Sequence, residues 1–226
     1  MGPHGTLWLH VGTHKTGTTS IQRAISLREA ELAAAGIALW SEPNAQELAN
    51  HFIRPSLWTI PRLLGISAPV DVAVFDELAA RMDEARGDRQ DLLISSQEFC
   101  MMRDALEAQV IRGTLRQVFE RVVPIVAFRD VDEWRASRTD ELVRIGMWER
   151  QQALPSTLSS DGDWYYDPAA VRRFWAQIGD VVEIDYDAAV TREGSILPAF
   201  ARALGQPGLF DGLELRLNRR GSEAGQ

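Results

Sequence analysis

The chain has 226 residues, a formal net charge of −8 and 45% apolar residues. This length suits one α/β domain with a full core, and the acidic balance argues against a general nucleic-acid partner. The only cysteine, Cys100, excludes an intrachain disulfide and fits a reducing compartment. No long apolar run is present, so we expect a cytoplasmic protein with no signal peptide, membrane anchor or membrane partner.

Apolar runs typical of buried strands alternate along the chain with amphipathic segments typical of helices. The predicted strands span residues 7–11, 37–40, 91–94, 122–128 and 181–186. The predicted helices span residues 21–35, 45 to about 58, 71–86, 103–120, 131–145, 168–178 and 195–204. Pro55 and Pro61 break the helical pattern of the second segment. This alternation predicts a single α/β domain over 1–226, a parallel sheet of four or five strands with helices on both faces. The termini, 1–5 and 221–226, are expected to be disordered.

The turn between the first strand and the first helix is the most informative stretch. Residues 10–20 read HVGTHKTGTTS, with two glycines and four threonines. The glycines let the backbone curl, so that several N–H groups can point inward at the start of the helix. Such a turn is an anion site, and phosphate is the usual anion.

The spacing of this turn partly follows the Walker A loop, G-x-x-x-x-G-K-[ST]. Gly12, Gly17 and Thr19 stand at the expected positions, but Thr18 replaces the lysine. The only lysine, Lys15, lies three residues earlier. Because an NTPase uses the loop lysine on the β/γ-phosphates and the hydroxyl on Mg²⁺, the displaced charge indicates a ligand without a γ-phosphate and without a required metal.

The segment Lys15-Thr16-Gly17-Thr18-Thr19 resembles the 5′-phosphosulfate loop, K-[ST]-G-T-T, of sulfotransferases that use 3′-phosphoadenosine 5′-phosphosulfate (PAPS). The longer run HKTGTTSIQ is similar to the bacterial sulfotransferase-like proteins. The resemblance implies a P-loop nucleotide-hydrolase-like sulfotransferase fold. The alternative is a degenerate P-loop in another nucleotide enzyme.

A second stretch follows the strand at 122–128. In sulfotransferases a strand ends in Arg-(Asp/Asn)-Pro, and a serine eight residues after the arginine joins it on the 3′-phosphate of PAPS. Arg129 and Ser137 have this spacing, although Val131 replaces the proline. An arginine at this edge of a sheet can donate two N–H groups to one phosphate. The alternative is that Arg129 pairs with Asp130 or Glu133 on the surface. The stretch also weakens a kinase interpretation, because a Walker B strand ends in a bare aspartate.

Two residues are candidates for the general base. Glu98 follows the strand at 91–94, at the edge where ligands bind in parallel sheets. A carboxylate there could deprotonate an acceptor, or it could cap the helix predicted from Arg103. His51 could serve as an active-site imidazole, since in the family that the chain resembles a histidine often follows the second strand, or it could be an ordinary helix histidine.

Two further segments stay open. The polar loop 149–163 and the aromatic run Trp164-Tyr165-Tyr166 could form an acceptor-binding lid, or the three aromatics could simply pack. Arg219-Arg220-Gly221 is similar to the C-terminal Arg-Lys-Gly of cytosolic sulfotransferases, or it is a solvated basic tail.

Taken together, the resemblance implies sulfuryl transfer from PAPS, as co-substrate, to a hydroxyl or amine on a small-molecule or glycan acceptor. It implies that the loop holds the 5′-phosphate, that Lys15 stabilises the leaving oxygen, and that Glu98 or His51 takes the acceptor proton. No metal ligand is predicted. The alternatives are a P-loop kinase and a non-catalytic nucleotide-binding protein. The residues implied to bind the co-substrate are Lys15, Thr16, Gly17, Thr18, Thr19, Ser20, Arg129, Ser137 and Arg220.

Overall fold

The computed structural model describes residues 2–66, 73–213 and 215. Within them, five strands form one fully parallel sheet in the order β2-β3-β1-β4-β5. The strands are β1 Thr6–Gly12, β2 Ile37–Leu39, β3 Asp91–Ser96, β4 Arg121–Phe128 and β5 Val182–Asp185. The predicted α/β class, with a parallel sheet of four or five strands, is confirmed.

Helices cover both faces of this sheet. They are α1 Thr18–Leu27, α2 Glu29–Ala34, α3 Gln46–Phe52, α4 Ile60–Leu63, α5 Ala73–Arg86, α6 Ala105–Leu115, α7 Val131–Arg144, α8 Trp148–Gln152, α9 Pro168–Trp175, α10 Tyr186–Glu193 and α11 Leu197–Ala203. Two 3₁₀ turns, Gln97–Met101 and Asp163–Tyr166, lie between them. None of the helices in the described part of the chain is long and apolar enough to cross a membrane.

The sheet separates two hydrophobic cores, because successive residues of a strand point to opposite faces. Leu7, Leu9 and Val11 of β1 lie in the core that also contains Trp134 of α7 and Trp175 of α9. On the other face, residues of α1 and α11 pack against alternate residues of β3, β4 and β5. Parallel strands buried on both faces read as continuous apolar runs, which is why the sequence reveals them.

Three local features differ from the sequence prediction. The first helix divides at Arg28, whose φ of −116° leaves the helical region, so that α1 and α2 are separate. The helix α10 was missed because it begins at Tyr186, directly after β5, with Asp185 as its cap. The segment 149–163 is not a structureless loop: α8 occupies its start, and Gln151 is buried among hydrogen bonds to Trp58 and Ser160.

The position of β1 determines where a ligand can bind. Its neighbours are β3 on one side and β4 on the other, so the order of the sheet reverses at β1. In open parallel sheets ligands bind in the crevice at the carboxyl ends of the strands, at this reversal. The loop that follows β1 lies at that point.

Candidate functional site

The loop after β1 is a tight turn fixed by its own hydroxyl groups. Lys15 and Gly17 both have left-handed backbones, with φ of 69° and 79°. The Thr16 hydroxyl donates to the Thr13 carbonyl at 2.7 Å, and the Thr13 hydroxyl donates to the Ala127 carbonyl of β4 at 2.6 Å. These bonds hold the loop against β4, and the Thr16 hydroxyl already has its hydrogen-bond partner within the loop.

Where the loop leads into α1, several polar groups have no hydrogen-bond partner on a side chain. Gly17 is the N-cap, and no side chain caps the first N–H groups of this ten-residue helix. The Thr18 hydroxyl is buried and has no hydrogen-bond partner. A Cβ atom at Gly12 would overlap this hydroxyl, which explains a glycine there. Thr19 is exposed and Ser20 half-buried. A helix start of this kind suits an anion.

Arg129, which follows β4, reaches the same loop. Its Nη1 donates to the carbonyl of Lys15 at 3.3 Å, and its side chain is 14% exposed. Nη2 lies 3.5 Å from Glu133 Oε2 and 3.9 Å from Asp187 Oδ1, while Nε is buried without a partner. The predicted pair with Glu133 is thus real, but the guanidinium also contacts the loop. Asp130 instead caps α7 by accepting the N–H groups of its first turn.

Tyr186 is a site residue that the sequence analysis missed. Its ring centroid lies 5.4 Å from Arg129 Cζ. A Cβ atom at Gly17 would lie 3.5 Å from its Cε2 and 3.0 Å from Ile196 Cγ2, so the ring also flanks the loop. Its position directly after β5, at the ligand-binding edge of the sheet, was the signal that could have identified it.

The remaining 3′-phosphate candidates are on α7 and in the tail. Ser137 is half-buried on α7, two turns after Arg129. Arg220, with Arg219 and Gly221, lies outside the described residues.

Glu98 lies in the 3₁₀ turn after β3 and is 3% exposed. Its Oε1 accepts from Gln46 Nε2 at 3.5 Å, and its Oε2 is buried without a partner. Burial raises the pKa of this carboxyl from about 4.5 to about 7, opposed by the positive charges of Arg138 and Arg62. The prediction that Glu98 caps the next helix is wrong, because Asp104 forms that cap with Glu107.

Arg138 is a second residue that the sequence analysis missed. Its guanidinium is 3% exposed and donates to Glu141 Oε2 at 2.9 Å, while its Nε and Nη2 have no partner. An arginine in the middle of a polar helix such as α7 reads as solvent-exposed, so no local signal identifies it. His51, on α3, is half-buried and its Nδ1 has no partner.

The back of the loop is closed by aromatic and polar side chains. His14 hydrogen-bonds to the Tyr165 hydroxyl through Nδ1, and Cys100 Sγ lies 3.4 Å from the same hydroxyl. Burial, and then the charges of Arg138 and Lys15, hold the pKa of His14 well below its ordinary value, so this imidazole is neutral. Tyr165 and Tyr166 are buried, so this pair packs in the core and does not form a lid.

No family model matches the chain, and no curated protein sequence matches it. Among solved structures, a sulfotransferase from Alicyclobacillus acidocaldarius has a TM-score of 0.56 at 17% identity, covering 96% of this chain and 87% of that one. The sulfotransferase domain from the curacin biosynthetic pathway has a TM-score of 0.49 at 15% identity, covering 91% of this chain and 75% of that one. The first likeness establishes a sulfotransferase-like α/β fold.

Proposed function

We propose that this protein transfers a sulfuryl group from PAPS to a hydroxyl or amine of a small-molecule or glycan acceptor, releasing adenosine 3′,5′-bisphosphate. One observation carries the proposal: the Arg129 guanidinium donates to the Lys15 carbonyl at 3.3 Å. The loop expected to hold the 5′-phosphosulfate and the arginine expected to hold the 3′-phosphate therefore lie side by side at one edge of the sheet. A single nucleotide with phosphates at both ends fits such a pair.

The polar atoms without hydrogen-bond partners suit the phosphate groups of PAPS. The uncapped N–H groups of α1 and the partnerless Thr18 hydroxyl face the loop, where the 5′-phosphate would bind. Thr19 and Ser20 would complete this group, while Thr16 and Gly17 would contribute backbone N–H groups. Arg129, with its buried and partnerless Nε, would donate to the 3′-phosphate together with Ser137. The ring of Tyr186 would flank the nucleotide between these anchors.

The reaction then needs a positioned charge and a base. The acceptor oxygen or nitrogen attacks sulfur as the bond from sulfur to the 5′-phosphate oxygen breaks, and the electron pair leaves on the bisphosphate. The Lys15 ammonium would stabilise this developing charge. The acceptor proton would pass to Glu98, whose pKa of about 7 suits a base near neutral pH, or to His51. The proposed chemistry requires no metal.

A P-loop kinase is the second candidate, because Gly12, Gly17 and Thr19 keep the Walker A spacing. A kinase would bind ATP with Mg²⁺ and would need the lysine at position 18, where this chain has threonine. A non-catalytic nucleotide-binding protein would bind the bisphosphate and transfer nothing to any acceptor.

Thermal melting with three ligands separates these candidates. We expect adenosine 3′,5′-bisphosphate to stabilise the folded protein without Mg²⁺, by about 2.7 kcal/mol at a hundredfold excess over Kd. This gain should raise the melting temperature by roughly 5–10 °C. AMP should act less strongly, and ATP with Mg²⁺ should add nothing beyond AMP. Stabilisation by ATP with Mg²⁺ but not by the bisphosphate would refute the proposal. Labelled PAPS with a panel of hydroxyl and amine acceptors then distinguishes an enzyme from a binding protein.

A further inference from the structure

The Tyr165 hydroxyl contacts the loop that follows β1 from the segment after α8. It accepts the backbone N–H of His14 at 3.3 Å and hydrogen-bonds to Nδ1 of the same residue. Cys100 Sγ lies 3.4 Å from the same hydroxyl. Tyr165 and Cys100 are fully buried and His14 is 2% exposed, so water does not compete for these bonds. One hydroxyl, 151 positions away in the chain, therefore holds both the backbone and the side chain of His14.

These three side chains are uncharged at neutral pH. Burial raises the pKa of Tyr165 well above its ordinary value and that of Cys100 to about 11, so both groups keep their protons. Burial also holds the pKa of His14 well below its ordinary value. The phenol hydrogen can then be donated to Nδ1, while the phenol oxygen accepts from the His14 backbone and from the Cys100 thiol. A neutral, hydrogen-bonded cluster does not suit a general base, but it suits a group that fixes the loop.

The residue after His14 is Lys15, the only lysine in the chain. Its φ of 69° is left-handed, which is unfavourable for a residue with a Cβ atom and persists only where the surroundings hold it. Tyr165 fixes the residue before Lys15, and Arg129 Nη1 donates to the carbonyl of Lys15 itself at 3.3 Å. The backbone is therefore held on both sides of the Lys15 side chain.

We propose that Tyr165 is a positioning residue for transfer: its hydroxyl, acting through His14, keeps Lys15 in the left-handed conformation that presents the ammonium to the leaving oxygen. This role rests on the proposed function, which assigns the leaving oxygen to Lys15. Without the hydroxyl, the peptide between His14 and Lys15 would sample other backbone conformations, and the ammonium would spend less time at the reacting oxygen. Arg129 would still bind the 3′-phosphate, so nucleotide binding should depend on Tyr165 much less than transfer does.

A single lysine makes the loop directly observable. Protein labelled with ¹⁵N in lysine alone gives one backbone amide signal in a nuclear magnetic resonance spectrum, and that signal belongs to Lys15. Tyr165→Phe removes the hydroxyl and keeps the ring, and we expect the signal to shift or broaden in this variant. The matched control is Tyr166→Phe, because the Tyr166 hydroxyl is also buried but bonds to Asp161 in its own segment. In the control the signal should keep its wild-type position.

Transfer is measured with labelled PAPS and the acceptor that turns over fastest in the panel of hydroxyls and amines. For Tyr165→Phe we expect kcat to fall about 10-fold or more, since misplacing a reacting group by about 1 Å can cost about 100-fold. The KM for PAPS and the Kd for the bisphosphate should change by less than about twofold. In a Lys15→Ala background the same substitution should cause no further loss, because the group that it positions is absent. Tyr166→Phe should retain the wild-type kcat.

An unchanged Lys15 signal or an unchanged kcat in Tyr165→Phe would overturn this role. So would an equal loss of kcat in Tyr166→Phe, since weaker core packing would then explain both variants. If Tyr165→Phe does not unfold cooperatively in urea, His14→Ala tests the same contact from the loop side, and a wild-type kcat in that variant would also overturn the role. Each of these results leaves the proposed function standing, because the wild-type protein still transfers from PAPS. A wild-type protein that neither binds the bisphosphate nor transfers from PAPS would refute the proposed function, and the role of Tyr165 in transfer with it.

Discussion

Glu98 makes the sharpest prediction about stability, because the fold holds this carboxyl away from water. Glu98 is 3% exposed and its Oε2 has no partner, so the substitution Glu98→Gln keeps the shape while removing the charge. We expect this variant to gain stability relative to the wild-type protein as the pH rises. The charged groups that act on Glu98 are Arg138, Arg62 and Glu141.

The sign and size follow from the pKa values. The pKa of Glu98 rises from about 4.5 to about 7 on folding, so between these values the folded state retains a proton that the unfolded state has lost. The stability from the neutral carboxyl is complete below about pH 4.5 and is lost as the pH rises through 7. At about 1.4 kcal/mol per pH unit, the loss between about pH 5 and pH 8 is about 2–3 kcal/mol. A glutamine side chain does not ionise, so the variant escapes this loss.

Urea unfolding followed by circular dichroism at several pH values measures the difference. The free energy of unfolding of Glu98→Gln, minus that of the wild-type protein, should increase by about 2–3 kcal/mol from about pH 5 to pH 8. The same substitution at exposed Glu42 controls for the loss of one surface charge and should show no such trend. A difference that is constant with pH, or that falls, would refute the reasoning. Transfer activity in Glu98→Gln that matches the wild-type protein would leave His51 as the base.

Three other sites test the loop, the core beneath it and the segment after α8. Lys15→Ala should reduce transfer by about 100-fold or more while only weakening bisphosphate binding, and undiminished turnover would remove Lys15 from the mechanism. Because residue 15 has φ of 69°, Lys15→Gly should be about 1 kcal/mol more stable than Lys15→Ala in urea unfolding. Burial lowers the pKa of His10 from 6.5 to about 3, so the unfolded state takes up a proton first as the pH falls. In urea unfolding, the wild-type protein should therefore lose about 2 kcal/mol of unfolding free energy relative to His10→Gln when the pH falls from about 7.5 to 5. Unfolding free energies of the two proteins that run parallel with pH would contradict this. Gln151→Ala breaks buried hydrogen bonds to Trp58, Ser159 and Ser160 and should cost about 2–4 kcal/mol of unfolding free energy, whereas a cost below about 1 kcal/mol would mean that these bonds do not order the segment.

Strands and their order of appearance could be predicted because burial on both faces leaves a local signature. The run 122–128, for example, is apolar throughout and corresponds to β4 within one residue. The helix α10 left no such signature, since no turn separates Tyr186 from the strand before it. The break at Arg28 was equally hidden, because neither proline nor glycine marks it.

In the candidate site, too, some residues could be predicted from the sequence and others could not. The loop around Lys15 and the position of Arg129 follow from local motifs at the ends of neighbouring strands. The burial of Glu98 and Arg138 could not be predicted, because it depends on packing between segments that are distant in the chain. For the same reason, the pair of Arg129 with Asp187 could be found only in the folded structure.

The central claim is that Lys15 and Arg129 hold the two ends of one nucleotide, and calorimetric titration of Arg129→Ala tests it most directly. The claim predicts that this variant loses roughly tenfold or more in affinity for adenosine 3′,5′-bisphosphate while its affinity for AMP, which lacks the 3′-phosphate, is unchanged. An equal loss for both ligands, or no loss for either, would contradict it.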